Sequence, residues 1–325
     1  MMERTDRHCR YILRLLAPHA WLYTEMVTAR ALAFGDRERL LAFSPEEHPV
    51  ALQLGGADPG ELAAAARHGE EAGYDEINLN VGCPSDRVQA GCFGAALMRE
   101  PDRVAECLVA MCEAVGVPVT VKTRIGVDDH DSYDFLARFV RTIADAGCRT
   151  VIVHARKAWL KGLSPKQNRE IPPLDYERVY RLKRDFPELE IVINGGFTRL
   201  EPSAAQLGRV DGVMLGRAAY DDPWLIAELD ARLFGGTLPA GRTAVVRRLL
   251  PYLERELERG TPLKSMTRHL LGLFTGRPGA RRWRRSLGAL PPGRAGVDAL
   301  RALAESFEAV PSSVELSSSR DSRVA

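Results

Sequence analysis

The sequence lacks the apolar segments that mark membrane and secreted proteins. No hydrophobic run approaches the roughly 18 residues that a membrane-spanning helix needs. The first ten residues, MMERTDRHCR, also lack the apolar core of a signal peptide. Hydrophobic residues make up 45% and charged residues 27% of the 325 positions, as in an ordinary globular chain. We therefore expect a cytoplasmic protein with no membrane partner.

The cysteines lack the spacings that bind metal ions or form redox motifs. No CxxC pair occurs, and the cysteines show no metal-site spacing with histidines. In a reducing cytosol such cysteines are usually free thiols and small core residues. The sequence therefore predicts free cysteines and no metal site, and only Cys83 needs a separate argument. The full set is Cys9, Cys83, Cys92, Cys107, Cys112 and Cys148.

Acidic residues are absent from one stretch of the chain. The net charge is only +2, yet eight Lys and Arg residues and no Asp or Glu lie between Lys264 and Arg294. Such a one-sided stretch is typical of a surface that binds a polyanion, although a solvated helix face is the alternative. For Trp283, inside this stretch, we favour core packing over stacking on a ligand. The densest group of arginines is Arg281, Arg282, Arg284 and Arg285.

Short β-branched runs alternate with amphipathic helical segments up to about residue 230. Strands are predicted at 21–25, 49–54, 76–80, 118–123, 150–155, 190–194 and 212–215, with helices at 58–72, 102–115, 132–146 and 175–185. Continuous apolar strands separated by helices indicate parallel βαβ units, buried on both faces. The pattern predicts an α/β fold, the (β/α)8 TIM barrel.

One strand is missing from this pattern. A closed parallel barrel of this kind has eight strands, but the predicted strands number seven and the first helix, about Thr5–Leu16, precedes them all. We expect the absent first strand to lie before Met1, with Met1 and Met2 as its remnant. A seven-stranded open sheet is the alternative. Unpaired edges would expose hydrogen-bonding groups, so the chain as given is expected to fold poorly or to bind any ligand of the barrel weakly.

No strand signal remains after about residue 237. Helices are predicted at 242–259, 263–275, 279–287 and 297–307, and Pro251 should kink or divide the first. We therefore predict a barrel over residues 1–236 and a separate helical domain over residues 237–310. Residues 311–325 are polar and are expected to form a disordered tail.

A polar or glycine cluster lies at the end of nearly every predicted strand. The active site of a parallel barrel lies at the C-terminal ends of its strands, so these clusters supply the candidate site residues. In chain order they are Gln53, Asn78, Asn80, Cys83, Lys122, Thr123, Arg124, His154, Ala155, Arg156, Asn194, Gly195, Gly196, Gly216 and Arg217.

The last two clusters are typical of a phosphate site. Glycines after the final strands let backbone N–H groups approach a phosphate, and a following helix N-terminus adds its dipole. Arg217 can add a charge-assisted contact; plain turn glycines are the alternative. Lys122 should point into the barrel mouth, where it could stabilise the electron-rich N1–C2 edge of a reduced flavin or form a buried salt bridge.

Several blocks of the sequence resemble the tRNA-dihydrouridine synthases. They are INLNVGCPSDRVQAGCFGAALM, VKTRIGVDD, VIVHARKAWLKGLSPKQNREIPPLDYERV, INGGF and DGVMLGRAAYDDPW. The resemblance runs from about residue 1 to about residue 290. Within the third block, the stretch from HARK onwards resembles the A subfamily, which modifies uridines 20 and 20a of the D-loop.

The resemblance implies an FMN enzyme that reduces the C5=C6 bond of uridine in tRNA. In this family NADPH or NADH reduces FMN, hydride passes to C6, and C5 takes a proton from the opposite face. Cys83 is implied as the proton donor, since a thiol with a reference pKa of about 8.5 is mostly protonated at neutral pH. Asn80 and Arg156 are implied to lie near the target base. The implied FMN contacts are Gln53, Lys122, His154, Asn194, Gly195, Gly196, Gly216 and Arg217.

The same resemblance assigns a task to the basic helical domain. The target base must be turned out of the folded RNA, so the domain with Arg281, Arg282, Arg284 and Arg285 would hold the tRNA backbone. The electron donor, NADPH or NADH, is left open because no separate dinucleotide-binding fold is visible. The sequence does not indicate the oligomeric state, and a monomer is assumed.

The match departs from the family at its start. Members begin with a strand ending in an APMMD-like motif followed by W-T-D-R-H, whereas MMERTDRH starts inside that motif, with Glu3 and Arg4 in place of Asp and Trp. We favour a start codon assigned too late over a damaged gene copy. Two other functions stay open: a catalytically impaired tRNA-binding paralogue, and an FMN barrel oxidoreductase that acts on a free pyrimidine and would not need the basic domain.

Overall fold

The computed structural model describes residues 2–308, which divide into two compact units with a boundary between Thr237 and Leu238. The first unit alternates strands and helices, and the second is helical. In this part of the chain no helix is long and apolar enough to cross a membrane. The predicted tail, residues 311–325, lies outside the described residues.

The first unit contains eight strands and eleven α-helices in residues 2–237. The strands are β1 Leu22–Tyr23, β2 Val27–Thr28, β3 Val50–Gly55, β4 Glu76–Val81, β5 Val119–Arg124, β6 Thr150–His154, β7 Glu190–Asn194 and β8 Gly212–Met214. The helices are α1 Arg7–Leu16, α2 Ala29–Phe34, α3 Arg37–Leu40, α4 Pro59–Glu71, α5 Asp86–Ala90, α6 Pro101–Ala114, α7 Tyr133–Asp145, α8 Tyr176–Asp185, α9 Leu200–Ala204, α10 Arg217–Asp221 and α11 Trp224–Phe234.

All the strands belong to one parallel sheet. Its order is β1-β3-β4-β5-β6-β7-β8, and β2 also pairs with β3. Leu52 and Ile77 on its outer face pack so closely on α4 that a Cβ at Gly69 would lie 2.6 Å from the Ile77 side chain. The sheet curls into an incomplete barrel. Within residues 2–308 no strand pairs with the outer edge of β1 or β8.

The strand predicted at 21–25 is interrupted. β1 pairs with the start of β3 and β2 with its end, and Thr24 lies between them. The Thr24 hydroxyl accepts a hydrogen bond from the Gln53 N–H at 2.9 Å. It thus takes the place of a backbone carbonyl as the acceptor for that N–H. The expected strand remnant at the N-terminus is also wrong for Met2, since residues 2–4 form a turn and Glu3 has φ 62°.

The second unit is built from α12 Arg242–Glu258, α13 Leu263–Thr267, α14 Ala280–Gly288 and α15 Gly293–Glu308. The expected division at Pro251 is wrong, since α12 continues through it while Val246, Leu249 and Leu253 bury its apolar face. Trp283 is fully buried, and its indole N–H donates to the Leu270 carbonyl at 2.8 Å. The predicted core role of Trp283 is thus confirmed.

Arg14 ties α1 to the start of the sheet. Its buried guanidinium donates to the carbonyls of Ala17 at 2.9 Å, Pro18 at 2.7 Å, Glu47 at 2.9 Å and Pro49 at 3.0 Å. Buried carbonyls without donors are costly. The Arg14 side chain therefore supplies hydrogen-bond donors both to carbonyls just after α1 and to carbonyls just before β3.

We predict that Arg14→Met lowers the free energy of unfolding by about 3 kcal/mol, because the carbonyls of Ala17, Pro18 and Glu47 lose this donor and that of Pro49 keeps only the Leu22 N–H. Urea unfolding followed by circular dichroism measures the change. Arg138→Met, at an exposed position on α7, is the matched control and should stay within about 0.5 kcal/mol. Equal losses in the two variants would contradict the role given to Arg14.

Candidate active site

The strand register brings the predicted polar residues to one end of the sheet. Asn80 is the Cα partner of Lys122, and His154 is the partner of both Arg124 and Asn194. Because side chains alternate along a strand, these residues share the inner face opposite the helices. The C-terminal ends of β4 to β7 therefore form one polar mouth.

Positive charge is concentrated at this mouth. Burial, and then the nearby Arg124, lower the pKa of Lys122 to about 8, and its Nζ donates to the Asn194 Oδ1 at 3.2 Å. Burial and the same cations hold the pKa of His154 well below its usual value, so the imidazole is neutral at neutral pH. Asn194 donates in turn to the Met214 carbonyl at 2.7 Å, which fixes the Asn194 amide. The mouth can stabilise a negative charge on a ligand.

Arg124 belongs to the polar cluster predicted at the end of β5, but the sequence assigned it no specific role. Its buried guanidinium donates to the carbonyls of Gly82 at 2.9 Å, Lys157 at 3.1 Å and Asn168 at 3.0 Å. Burial lowers the pKa of Arg124 to about 10. Through these hydrogen bonds, the Arg124 side chain links the turn after β4 to the loop after β6. Because it lies two residues after Lys122, Arg124 is on the same face of β5.

The turn that carries Cys83 is held by the Asn80 amide. The Asn80 Oδ1 accepts from the backbone N–H of Gly82 at 3.1 Å and of Cys83 at 2.9 Å, and its Nδ2 donates to the Gln53 Oε1 at 2.9 Å. Cys83 is half-buried, with Sγ 3.5 Å from the Ser85 Oγ. Gln53, Asn80 and Cys83 therefore form one connected group.

Cations surround the Cys83 thiol. Its charge acts on Lys122, Arg124 and Arg169, and in each case it favours the charged form of the cation. Three positive groups therefore lie near the sulfur. Arg169 lies in the loop after β6, where no strand or helix pattern marked it in the sequence. The candidate site therefore combines a half-buried thiol with nearby positive charge.

The glycines after β7 and β8 serve different purposes. Gly195 and Gly196 have φ of 120° and 77°, and a Cβ at Gly195 would lie 2.7 Å from the His154 ring. Their backbone course therefore requires glycine. Gly216 has an ordinary negative φ, and a Cβ there would meet nothing within 4 Å. Open space thus lies in front of Gly216, the residue before α10.

Three arginines line the loop after β6 and the start of α10. Arg217 pairs with Glu170, with 2.5 Å between Nη1 and Oε1, and holds the pKa of that carboxyl below its usual value. Arg156 donates to the Glu170 carbonyl at 3.4 Å and also contacts the Pro172 carbonyl, while its buried Nε has no partner among the described residues. Arg169 is the third. An orphaned donor, open space and surplus positive charge fit an anionic ligand such as a phosphate.

The helical unit presents a separate group of arginines on α14. Arg281, Arg284 and Arg285 are exposed, whereas Arg282 donates to the Ser306 Oγ at 2.8 Å and lies over the Phe307 ring at 5.1 Å. All four predicted arginines are exposed, and one of them, Arg282, also contacts α15. Over the described chain, no group of His, Cys, Asp or Glu could hold a metal ion.

Comparison with known proteins gives consistent matches. Residues 1–306 match the family described as dihydrouridine synthase (Dus). A relative from Vibrio cholerae, named tRNA-dihydrouridine(20/20a) synthase, is 59% identical over 289 residues, covering 88% of each chain. Relatives of the same name from Synechocystis and Escherichia coli K12 are 60% identical, over 88% of this chain and 86% and 84% of theirs.

A solved structure shares the fold. Morphinone reductase superposes with a TM-score of 0.51 over 72% of this chain and 82% of its own, at 13% sequence identity. At that identity the likeness concerns the fold alone. It supports the predicted barrel class, which the parallel curled sheet confirms.

We predict that Lys122→Met stabilises the ligand-free protein. The pKa of Lys122 falls from 10.5 to about 8 on folding, so the unfolded chain keeps the proton over that pH range and the buried ammonium costs stability below it. At pH 7 the free energy of unfolding of the variant should be roughly 1–3 kcal/mol higher than that of the parent. This range allows for the hydrogen bond to Asn194 that the variant loses. The gain should shrink as the pH rises from about 8 to 10.5.

Urea unfolding at a series of pH values measures this difference. Lys161→Met, at an exposed position, is the matched control and should show no such pH dependence. A Lys122→Met variant that is less stable than the parent at pH 7 would contradict the cost assigned to the buried charge.

Proposed function

The chain belongs to the dihydrouridine synthase family, and from that premise we propose how its residues divide the reaction. It is a flavin-dependent enzyme that reduces uridine to 5,6-dihydrouridine in tRNA. We propose positions 20 and 20a of the D-loop as the target, in the cytoplasm, because relatives at about 60% identity carry those positions in their name. The observation that carries the proposal is the Cys83 thiol, set on a fixed turn beside Lys122 and Arg124.

The mouth of the sheet is the proposed flavin site. When bound, FMN that NADPH or NADH has reduced supplies the hydride for C6 of the uracil ring. Lys122, oriented by Asn194, provides positive charge for the electron-rich side of the ring. Gln53 and His154 lie on the same inner face and complete the contacts to the ring. These assignments rest on shared position and charge.

The end of the site beyond β7 and β8 is the proposed phosphate site. The open space at Gly216 lets a phosphate approach the backbone at the start of α10, and Arg217 lies beside it. The positive φ angles of Gly195 and Gly196 let the backbone pass close to the His154 ring. The Nη1 of Arg156 donates to backbone carbonyls, whereas its Nε has no partner among the described residues. That Nε–H is available to donate to the phosphate or to the target nucleotide.

Cys83 is the proposed proton donor to C5. Transfer of the proton leaves a thiolate, and Lys122 and Arg124 on the neighbouring strand supply positive charge near it. Asn80 keeps the sulfur in place, since its carbonyl oxygen receives the N–H groups of the turn. We therefore give Asn80 a positioning role, although its second amide hydrogen can still reach the base.

The exposed face of α14 is the proposed contact to the tRNA backbone. Arg281, Arg284 and Arg285 are exposed there, and Lys264–Arg294 contains no acidic residue to oppose them. We expect a smaller contribution from Arg282, because Ser306 and Phe307 engage it. A free pyrimidine would not need such a surface.

We predict that Cys83→Ala retains FMN and its reduction by NADPH but forms dihydrouridine at least 100-fold more slowly, since general acids contribute about 10²–10⁴ to a rate. Stopped-flow flavin absorbance separates reduction from reoxidation by tRNA, and mass spectrometry of nucleosides measures the product. Cys92→Ala, at an exposed cysteine just after α5, should resemble the parent. Full product formation by Cys83→Ala would refute the assignment.

We predict that a triple variant, Arg281→Gln with Arg284→Gln and Arg285→Gln, weakens tRNA binding and lowers the slope of log affinity against log salt by about 2–3. NADPH-dependent flavin reduction should not change. The control triple replaces the exposed Arg67, Arg138 and Arg149 by Gln, with the same change in net charge. Equal loss of affinity in both triples would show a general charge effect and not a surface on α14.

A further inference from the structure

A chain of side-chain hydrogen bonds runs along the inner face of the sheet, from Glu76 to the turn that bears Cys83. Glu76, Asn78, Asn80 and Thr120 are buried and Gln53 is half-buried; these five residues come from β3, β4 and β5. From the turn downwards, the links are Cys83 N to Asn80 Oδ1 at 2.9 Å, Asn80 Nδ2 to Gln53 Oε1 at 2.9 Å, Gln53 Nε2 to Asn78 Oδ1 at 2.9 Å, Asn78 Nδ2 to Thr120 Oγ1 at 2.8 Å, and Thr120 Oγ1 to Glu76 Oε1 at 2.5 Å.

Strand geometry explains why the chain exists. Glu76, Asn78 and Asn80 alternate along β4 and so share the inner face. Asn78 is the Cα partner of Gln53 on one side and of Thr120 on the other. A polar residue at each of these positions can therefore reach its neighbour on the next strand.

All the bonds in this chain point in the same direction. At the top, the N–H groups of Gly82 and Cys83 can only donate. At the bottom, the Glu76 Oε1 accepts from both Thr120 and Tyr23. With the two ends fixed, each amide has one orientation that satisfies every bond. If Asn80 were reversed, its NH2 group would face the two N–H donors of the turn.

We propose that Glu76 and Thr120 are positioning residues for the proton transfer by Cys83. They set the direction of the chain, the chain sets the orientation of the Asn80 amide, and the amide holds the turn on which the sulfur lies. This inference rests on the proton-donor role proposed for Cys83. Because a misplacement of about 1 Å can cost a reaction about 100-fold, a loosened turn would slow the step that uses the thiol.

Thr120→Val tests the proposal, since valine keeps the shape of threonine and removes the hydroxyl. Thr120→Ser, which keeps the hydroxyl, should restore the function. The matched control is Thr150→Val on β6, which removes another hydroxyl–carboxylate bond, 2.8 Å to the Glu190 Oε2, outside the chain. All variants are studied as flavin-loaded full chains.

Two measurements separate positioning from general damage. The first compares the rate of flavin reduction by NADPH with the rate of reoxidation by tRNA. The second is the rate at which iodoacetamide alkylates Cys83, resolved by peptide mass spectrometry. In Thr120→Val we expect reoxidation to slow about tenfold or more, reduction to change far less, and the alkylation rate of Cys83 to change. Thr120→Ser and Thr150→Val should behave as the parent does.

Several results would overturn the proposal. They are unchanged reoxidation in Thr120→Val, equal slowing of both half-reactions, or the same loss in Thr150→Val. If Thr120→Val does not retain flavin, Glu76→Gln serves instead, because it keeps the shape but adds donors that let the chain reverse. It should slow reoxidation alone, and parent-like behaviour in all measurements would also overturn the proposal.

Failure of the proposed function would look different. An active Cys83→Ala variant removes the proton-donor role itself, whatever Thr120→Val does. An inactive Cys83→Ala variant together with a parent-like Thr120→Val removes only the positioning role.

Discussion

The positive charge held at the mouth of the sheet is the constraint on which the rest of the site depends. Lys122 and Arg124 lie two residues apart on one face of β5, where burial disfavours the charge on each. Among residues 2–308, backbone carbonyls hold Arg124 and no carboxylate pairs with it. The charge is therefore left for a ligand to balance. An anionic cofactor that binds only the folded state would stabilise the fold by the same interaction.

The interior of the sheet is divided by charge along the strands. Glu76 and Glu190 begin β4 and β7, whereas the cations stand where β5 ends. Burial raises the pKa of Glu76, and hydrogen bonds from Thr120 and Tyr23 partly offset that effect. The amides between the two ends carry their carbonyl oxygens towards the mouth and their NH2 groups towards Glu76. Their dipoles thus complement the charge at both ends.

Much of the fold could be predicted from the sequence, because apolar runs and helical periods are local signals. Lys122 and His154 could be singled out because each lies at or next to the end of a strand. Two features could not be predicted, because each depends on partners from distant segments. The interruption at Thr24 depends on Gln53. The contacts of Arg124 depend on Gly82 and Asn168. Thr120 gave no signal either, as a threonine inside a strand is ordinary. The domain limits and the roles of the site residues stay predictions.

The single direction of the hydrogen-bond chain restricts how this sequence can change in evolution. Replacing Asn78 or Gln53 alone leaves a neighbour without a partner, so a tolerated substitution at one position needs a second one on the adjacent strand. These positions are far apart in the sequence, but their side chains depend on one another for hydrogen bonds. Drift in this part of the barrel should therefore proceed by paired replacements, even though the outer face of the same strands accepts apolar exchanges one at a time.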